Sequence, residues 1–184
     1  MKKIALIFVA LFVATTALPA QVFAPQGEMT LTWTAFKTPK KVGVKGTFDA
    51  IALSTPANAQ TIESFLMATS VTIDTAKVNS KHVERDAKLA HAFFGLMKPT
   101  ITAHVKAISA KTLTVAITMN GITREVPMSY SYDGKKVSAQ GAIELADFDA
   151  MGALSSINNA CFDLHEGKTW SDVTIAFELG VEGK

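Results

Sequence analysis

Residues Lys81–Pro99 read KHVERDAKLAHAFFGLMKP, and they interrupt the pattern that runs through the rest of the chain. From residue 28 onward, apolar and polar side chains mostly alternate with a period of two, the mark of half-buried strands. Here instead Val83, Ala87, Ala90 and Phe94 recur at helical spacing, and Leu89, Phe93 and Met97 widen the stripe. Asn79 or Ser80 is placed to cap the N-terminus, since a short polar side chain accepts a hydrogen bond from an orphaned backbone N–H. Gly95 is placed to end the helix in the left-handed conformation, and Pro99 cannot continue it. The pattern predicts one aromatic-faced helix set among strands, with something apolar beneath it.

Strand signals lie on both sides of this helix. Before it, Leu31, Trp33 and Ala35 alternate in a first strand, and Val42, Val44, Gly46 and Phe48 in a second. Ser54–Thr61 is a small polar loop, and Phe65, Met67, Thr69, Val71 and Ile73 predict a long third strand ending at Asp74. After Pro99 the alternation resumes through Ile101–Ala107 and Leu113–Met119 up to Asn120-Gly121, a strong hairpin signal because both residues tolerate positive φ. Val126–Tyr132 then runs into a second such turn at Asp133-Gly134, and Val137–Leu145 follows. Asp147–His165 loses the period and reads as a loop and a short helix before the closing strand Val173–Leu179. The sum is an all-β domain of eight antiparallel strands with one or two short helical crossings. A sandwich or barrel buries such a sheet, and an eight-stranded barrel is either filled by side chains or holds one small ligand.

The N-terminus reads as an export signal. Lys2 and Lys3 precede an apolar run, Ile4–Val13, too short to span a bilayer readily. Small residues follow, with cleavage expected after Ala20 or after Ala24, although Pro25 hinders the second site. An uncleaved anchor is the competing reading. Residues 1–24 are therefore expected to be a cleavable signal peptide and residues 25–184 a single domain, soluble in the periplasm. The formal net charge of +2 rests on Lys2 and Lys3, so the domain itself is neutral and has no basic excess for nucleic acid. Lys37, Lys40, Lys41 and Lys45 form a loose cluster whose simplest reading is a solvated strand face. The single cysteine, Cys161, excludes an internal disulfide.

Catalytic patterns are sparse. Ser64, Ser129 and Ser138 lie inside strand patterns with no nucleophile elbow around them, and no glycine-rich phosphate loop is present. Cys161 and His165 stand at i, i+4 and could ligate a metal or haem iron, which makes a redox or metal protein one rival reading. His82, His91 and His104 are not spaced to join them, and a zinc site needs three or four ligands, so no metal site is assigned. Glu84 and Lys88 have the spacing of a surface ion pair. A structural or stress-related module with a solid core is the other rival. The expectation is a protein that is not an enzyme.

The order of motifs resembles the YceI-like family of exported, polyisoprenoid-binding proteins. Glu84-Arg85-Asp86, Leu89, Phe93-Phe94 and Pro99-Thr100-Ile101 are similar to the family's central run, and Lys45-Gly46-Thr47-Phe48 to its early segment. Asn120-Gly121-Ile122-Thr123 with Val126 is similar to its hairpin, and Ile143–Phe148 to its late motif. The chain departs from the family with Lys88 where a histidine is common, Ala103 where an aromatic is common, and Thr38-Pro39-Lys40 before the first glycine.

The resemblance implies a lipocalin-like barrel that holds an isoprenoid, a quinone-type lipid or another long-chain amphiphile, with no cofactor. Its expected apolar wall takes Trp33, Phe48, Phe65, Met67, Met119 and Tyr130 from the strands. Leu89, Phe93 and Phe94 come from the helix, and Phe148 from the late motif. Arg85 and Asp86 are expected to hold a headgroup or to anchor the helix. The partner implied is a lipid-like small molecule, and a homodimer or a transient contact with a membrane or membrane protein is compatible with it.

Overall fold

The computed structural model describes residues 21–184. The expected leader lies outside the described residues as far as Ala20. The strands are β1 (Phe23–Lys37), β2 (Val42–Phe48), β3 (Ile51–Ser54), β4 (Ser70–Asp74) and β5 (Val78–Asn79). They continue as β6 (Thr100–Ile108), β7 (Thr112–Met119), β8 (Ile122–Tyr132), β9 (Lys136–Glu144) and β10 (Thr169–Gly183). Among the described residues three α-helices interrupt them, α1 (Ile62–Ala68), α2 (Val83–Ala92) and α3 (Met151–Ala160). No helix among the described residues is long and apolar enough to cross a membrane.

All ten strands belong to one sheet in the order β3-β4-β6-β7-β8-β9-β10-β1-β2-β5, and every pairing is antiparallel. The connectivity forces this sheet to curl. Only Asp49 and Ala50 join β2 to β3, a link that reaches about 10 Å. In a flat sheet these strands would stand roughly 40 Å apart, at about 4.8 Å per step. The sheet therefore rolls into a half-barrel, with Asp49 N–H donating to Lys77 O (2.8 Å) and Asp74 N–H to Ala50 O (3.1 Å) at the junction. No ladder joins β3 to β2 or β5 among the described residues. An apolar cluster fills that gap instead. Trp33, Phe48, Ile73 and Val78 from both ends of the sheet pack together, with Leu89 and Phe94 of the α2 region against them.

Among the described residues the strand count is ten rather than eight. β3 and β5 are too short for an alternating pattern to register, and they exist because neighbours supply their hydrogen bonds. The predicted third strand is also corrected: it begins only at Ser70, and its first half is helix α1. Thr61 caps that helix reciprocally, its Oγ1 accepting from Ser64 N–H (3.0 Å) while Ser64 Oγ accepts from Thr61 N–H (3.1 Å). Ile62, Phe65 and Leu66 lie on one buried face at i, i+3, i+4. Phe65 is 0% exposed while Met67, two residues on, is 45% exposed. The residues fit both periods, and tertiary burial selects the helical one.

Helix α2 is shorter than the spacing predicts. His82, not Asn79 or Ser80, is the N-cap, with Nδ1 accepting from Arg85 N–H at 3.3 Å. Val83 is 86% exposed, so the apolar stripe starts later, at Leu89. The helix passes into a 3-10 turn, Phe94–Leu96, and Gly95 is not left-handed. A Cβ there would meet Ala90 O at 3.0 Å, so glycine serves close approach rather than chain reversal. The Asn120-Gly121 turn takes the expected form, with φ of 53° and 79°.

Candidate ligand cavity

Between the curled sheet and the helices lies a cavity of about 250 Å³ with an almost wholly apolar wall. Strand alternation builds one side of it. Leu31, Trp33 and Ala35 of β1 stand directly opposite Phe177, Ile175 and Val173 of β10, and all six face the cavity. Phe48 of β2, Ile117 and Met119 of β7, and Leu154 and Ile157 of α3 continue the wall. Leu89, Phe93 and Phe94 close it from above. The Phe94 ring stands edge-on to Phe48 (5.5 Å between centroids) and to Phe93 (5.0 Å), the geometry that aromatic quadrupoles favour.

Of the expected wall residues, Trp33, Phe48, Leu89, Phe93, Phe94 and Met119 meet at this cavity. Four do not. Phe65 is turned into the core by α1, and Met67 points to solvent from the opposite face of that helix. Tyr130 lies on the β8 stretch beyond the cavity, in an open surface depression with Ile62, Glu63 and Tyr132. Burial, with Glu63 and Tyr132 adding to it, raises its phenol pKa above the usual value. Phe148 is buried in the 3-10 turn Leu145–Phe148, within the larger core cluster rather than on its open face.

Arg85 and Asp86 converge on Ser80. The guanidinium donates through Nε to Ser80 Oγ (2.7 Å) and through Nη2 to Ser80 O (2.7 Å). Asp86 Oδ1 accepts from Ser80 N–H (2.7 Å) and from the Ser80 hydroxyl. Burial draws the Asp86 pKa upward, but these hydrogen bonds, one to His82 and the Arg85 charge outweigh it and hold the carboxyl below its ordinary value. The pair ties down the entry to α2, and Arg85 also reaches the cavity wall. Glu84 and Lys88 form no ion pair within 4.0 Å among the described residues.

A second polar group escaped the sequence patterns. Lys37, Lys88, His165, Thr169 and Trp170 reach the cavity at one end, where β1 finishes and β10 begins. Lys37 and Thr169 are cross-strand partners far apart in the chain, a relation no local motif encodes. The i, i+4 spacing of Cys161 and His165 was the one available signal, and both residues do line the cavity. His165 N–H donates to Cys161 O (2.9 Å), which continues the helical turn past α3. Among the described residues, no group of three His, Cys, Asp or Glu side chains could hold a metal ion.

Residues 21–181 match the model of the YceI-like domain. None of the curated proteins compared with the chain matches it. Among solved structures, the fold is similar to a polyisoprenoid binding domain from Saccharophagus degradans, with TM-score 0.63 and 13% identity over 90% of this chain and 99% of that one. It is also similar to BcnA from Burkholderia cenocepacia, with TM-score 0.54 and 17% identity over 82% of this chain and 95% of that one. A YceI protein from Campylobacter jejuni aligns over 97% of this chain and 99% of its own, with TM-score 0.54 and 20% identity. At such identities the structural likeness is one of fold. The domain match runs from before the start of β1 into the end of β10, and by it the chain belongs to the YceI-like domain family.

Proposed function

We propose that this protein binds or carries one long-chain amphiphile, an isoprenoid, a quinone-type lipid or a relative of these, and does no bond chemistry on it. The observation that carries the reading is the apolar cavity enclosed by Trp33, Phe48, Leu89, Phe93 and Phe94. Each buried methylene contributes about 0.8 kcal/mol, whereas association costs roughly 4–15 kcal/mol in lost freedom. About ten methylenes supply roughly 8 kcal/mol and cover the lower half of that range, about twenty cover all of it, and a short solute falls short. Family membership and the fold shared with a polyisoprenoid binding domain support the same reading.

The site of action in this reading is the periplasm, after removal of the leader. Cleavage after Ala20 is favoured over Ala24. Phe23–Gln26 pair with Gly180–Gly183, Phe23 N–H donates to Ala59 O (2.8 Å), and the Phe23 ring packs on the larger core cluster. A cut after Ala24 would remove that ring and its ladder. The mass of the secreted protein is expected to correspond to a start at Gln21.

The decisive experiment is organic extraction of protein purified from its native host, followed by mass spectrometry, with uptake of long-chain lipids by the delipidated protein measured in parallel. A stoichiometric long-chain species is expected. Protein that carries no lipid and takes up none would end the carrier reading.

A further inference from the structure

Polar side chains reach the cavity wall in few places, and most are already engaged. The Thr69 hydroxyl donates to Phe65 O (2.7 Å), and the Arg85 guanidinium gives two of its five N–H groups to Ser80, beside the Asp86 carboxylate. The end formed by Lys37, Lys88, His165 and Thr169 is different. Lys88 is exposed at the rim and has no ion-pair partner within 4.0 Å among the described residues. Lys37 is half-buried, and among the described residues its one polar contact is a long one, to Leu164 O at 3.5 Å. No carboxylate lines the cavity among the described residues. Two unneutralised ammonium groups therefore sit at the mouth of an apolar chamber, in a domain whose overall charge is zero.

The neighbouring hydrogen bonds fix the imidazole. The Thr169 hydroxyl donates its only proton to Asn158 Oδ1 (2.8 Å), and Asn158 Nδ2 donates to Gly167 O (3.3 Å). Thr169 Oγ1 must then accept from His165, whose Nδ1 lies 2.7 Å away and so carries the proton. Nδ1 is occupied, and Nε2 is the ring nitrogen left for a ligand. Burial first, and the charges of Lys37 and Lys88 second, lower the His165 pKa, so both lysines lie within electrostatic reach of the ring.

We propose that Lys37, Lys88 and the hydrogen-bonded His165–Thr169 pair form the headgroup end of the cavity and select amphiphiles whose head is an oxyanion, a carboxylate or a phosphate monoester. The inference rests on the carrier reading above and adds the chemical class of the head. Ammonium donors at a partly dry rim meet oxyanions with charge-assisted hydrogen bonds, and the apolar wall takes the tail.

The test uses the delipidated mature protein and four probes with one tail: dodecanoate, dodecyl phosphate, dodecanol and dodecyltrimethylammonium, each titrated below its micelle concentration. At least one anion is expected to bind about tenfold or more tighter than dodecanol, with the cation weakest. Preference for dodecanoate over dodecyl phosphate assigns a carboxylate head, and the reverse assigns a phosphate. Lys88→Met, on an exposed helix position, and Lys37→Met should each remove most of that advantage, weakening the two anions far more than dodecanol. Equal affinity for dodecanol and both anions, or lysine variants that weaken all four probes alike, would overturn the headgroup assignment while leaving the carrier reading intact. Failure of all four to bind would overturn both.

Discussion

The six-membered ring of Trp33 occupies the space in which a Cβ of Gly46, its cross-strand partner, would stand. The indole Nε1–H donates to Thr47 O (3.2 Å), so the ring cannot slide along β2 without losing that bond. Trp33 is thereby held against the cavity wall by the one residue type small enough to lie beneath it.

Gly46→Ala forces the indole off this seat. Overpacking of this kind costs about 1–3 kcal/mol, and the displaced ring moves into ligand space. A lowered urea midpoint, a shifted tryptophan emission and reduced lipid uptake are expected together. Gly43→Ala is the control, because its Cβ would meet the Thr34 Cγ2 methyl at 3.2 Å and the Phe36 ring only at ordinary contact distance, 3.5 Å, on a more exposed stretch of the same strand.

Phe94→Glu places a carboxylate beside Phe48 and Phe93, in contact with the cavity. An uncompensated charge there opposes an apolar tail, and lipid occupancy is expected to fall about tenfold or more. Glu84→Ala, on the solvent side of α2, should leave occupancy unchanged. Equal occupancy in the two variants, measured by mass spectrometry of extracts, would reduce α2 to a structural lid.

Asp86→Asn removes the charge that holds Ser80 and the entry to α2. The wild-type carboxyl titrates below its ordinary value of 3.8, so its stabilising contribution is complete above that pH. It disappears as the pH falls through the lower folded-state value. Denaturant melts should show the variant less stable at neutral pH by about 1 kcal/mol. The gap should close in strongly acidic buffer.

His165 has the opposite pH logic. Burial, then Lys37 and Lys88, lower its pKa below 6.5. The unfolded chain takes up the proton first, so stability declines as the pH falls from 6.5 to the folded-state value and is level below it. An NMR titration of the imidazole should give a midpoint under 6.5 that moves upward in Lys37→Met and in Lys88→Met. An unchanged midpoint in both variants would show that the lysines do not reach the ring.

Much of this architecture is local and was legible. Alternation marks β1, β2 and β6–β10, the Asn120-Gly121 pair marks its hairpin, and the helical spacing around Leu89 and Phe94 marks α2. These features depend on side chains within a few residues of each other, and so six of the ten expected wall residues meet at the cavity. Lys81–Pro99 also holds its place as the segment that lies over the apolar space.

What only the tertiary structure decided involves contacts between distant residues. Phe65 satisfied the strand period and the helix period equally, and burial against the core chose the helix. β3 and β5 exist only through partners, and the two-residue link Asp49-Ala50 shows the curl only once the sheet order is known. Arg85 and Asp86 were visible as a charged pair, but their commitment to Ser80 was not. The mouth formed by Lys37, Lys88, His165 and Thr169 joins β1, α2, the turn after α3 and β10. Periodicity and turn chemistry act along the chain, whereas strand register and cavity walls are set by pairings between segments, which no local pattern specifies.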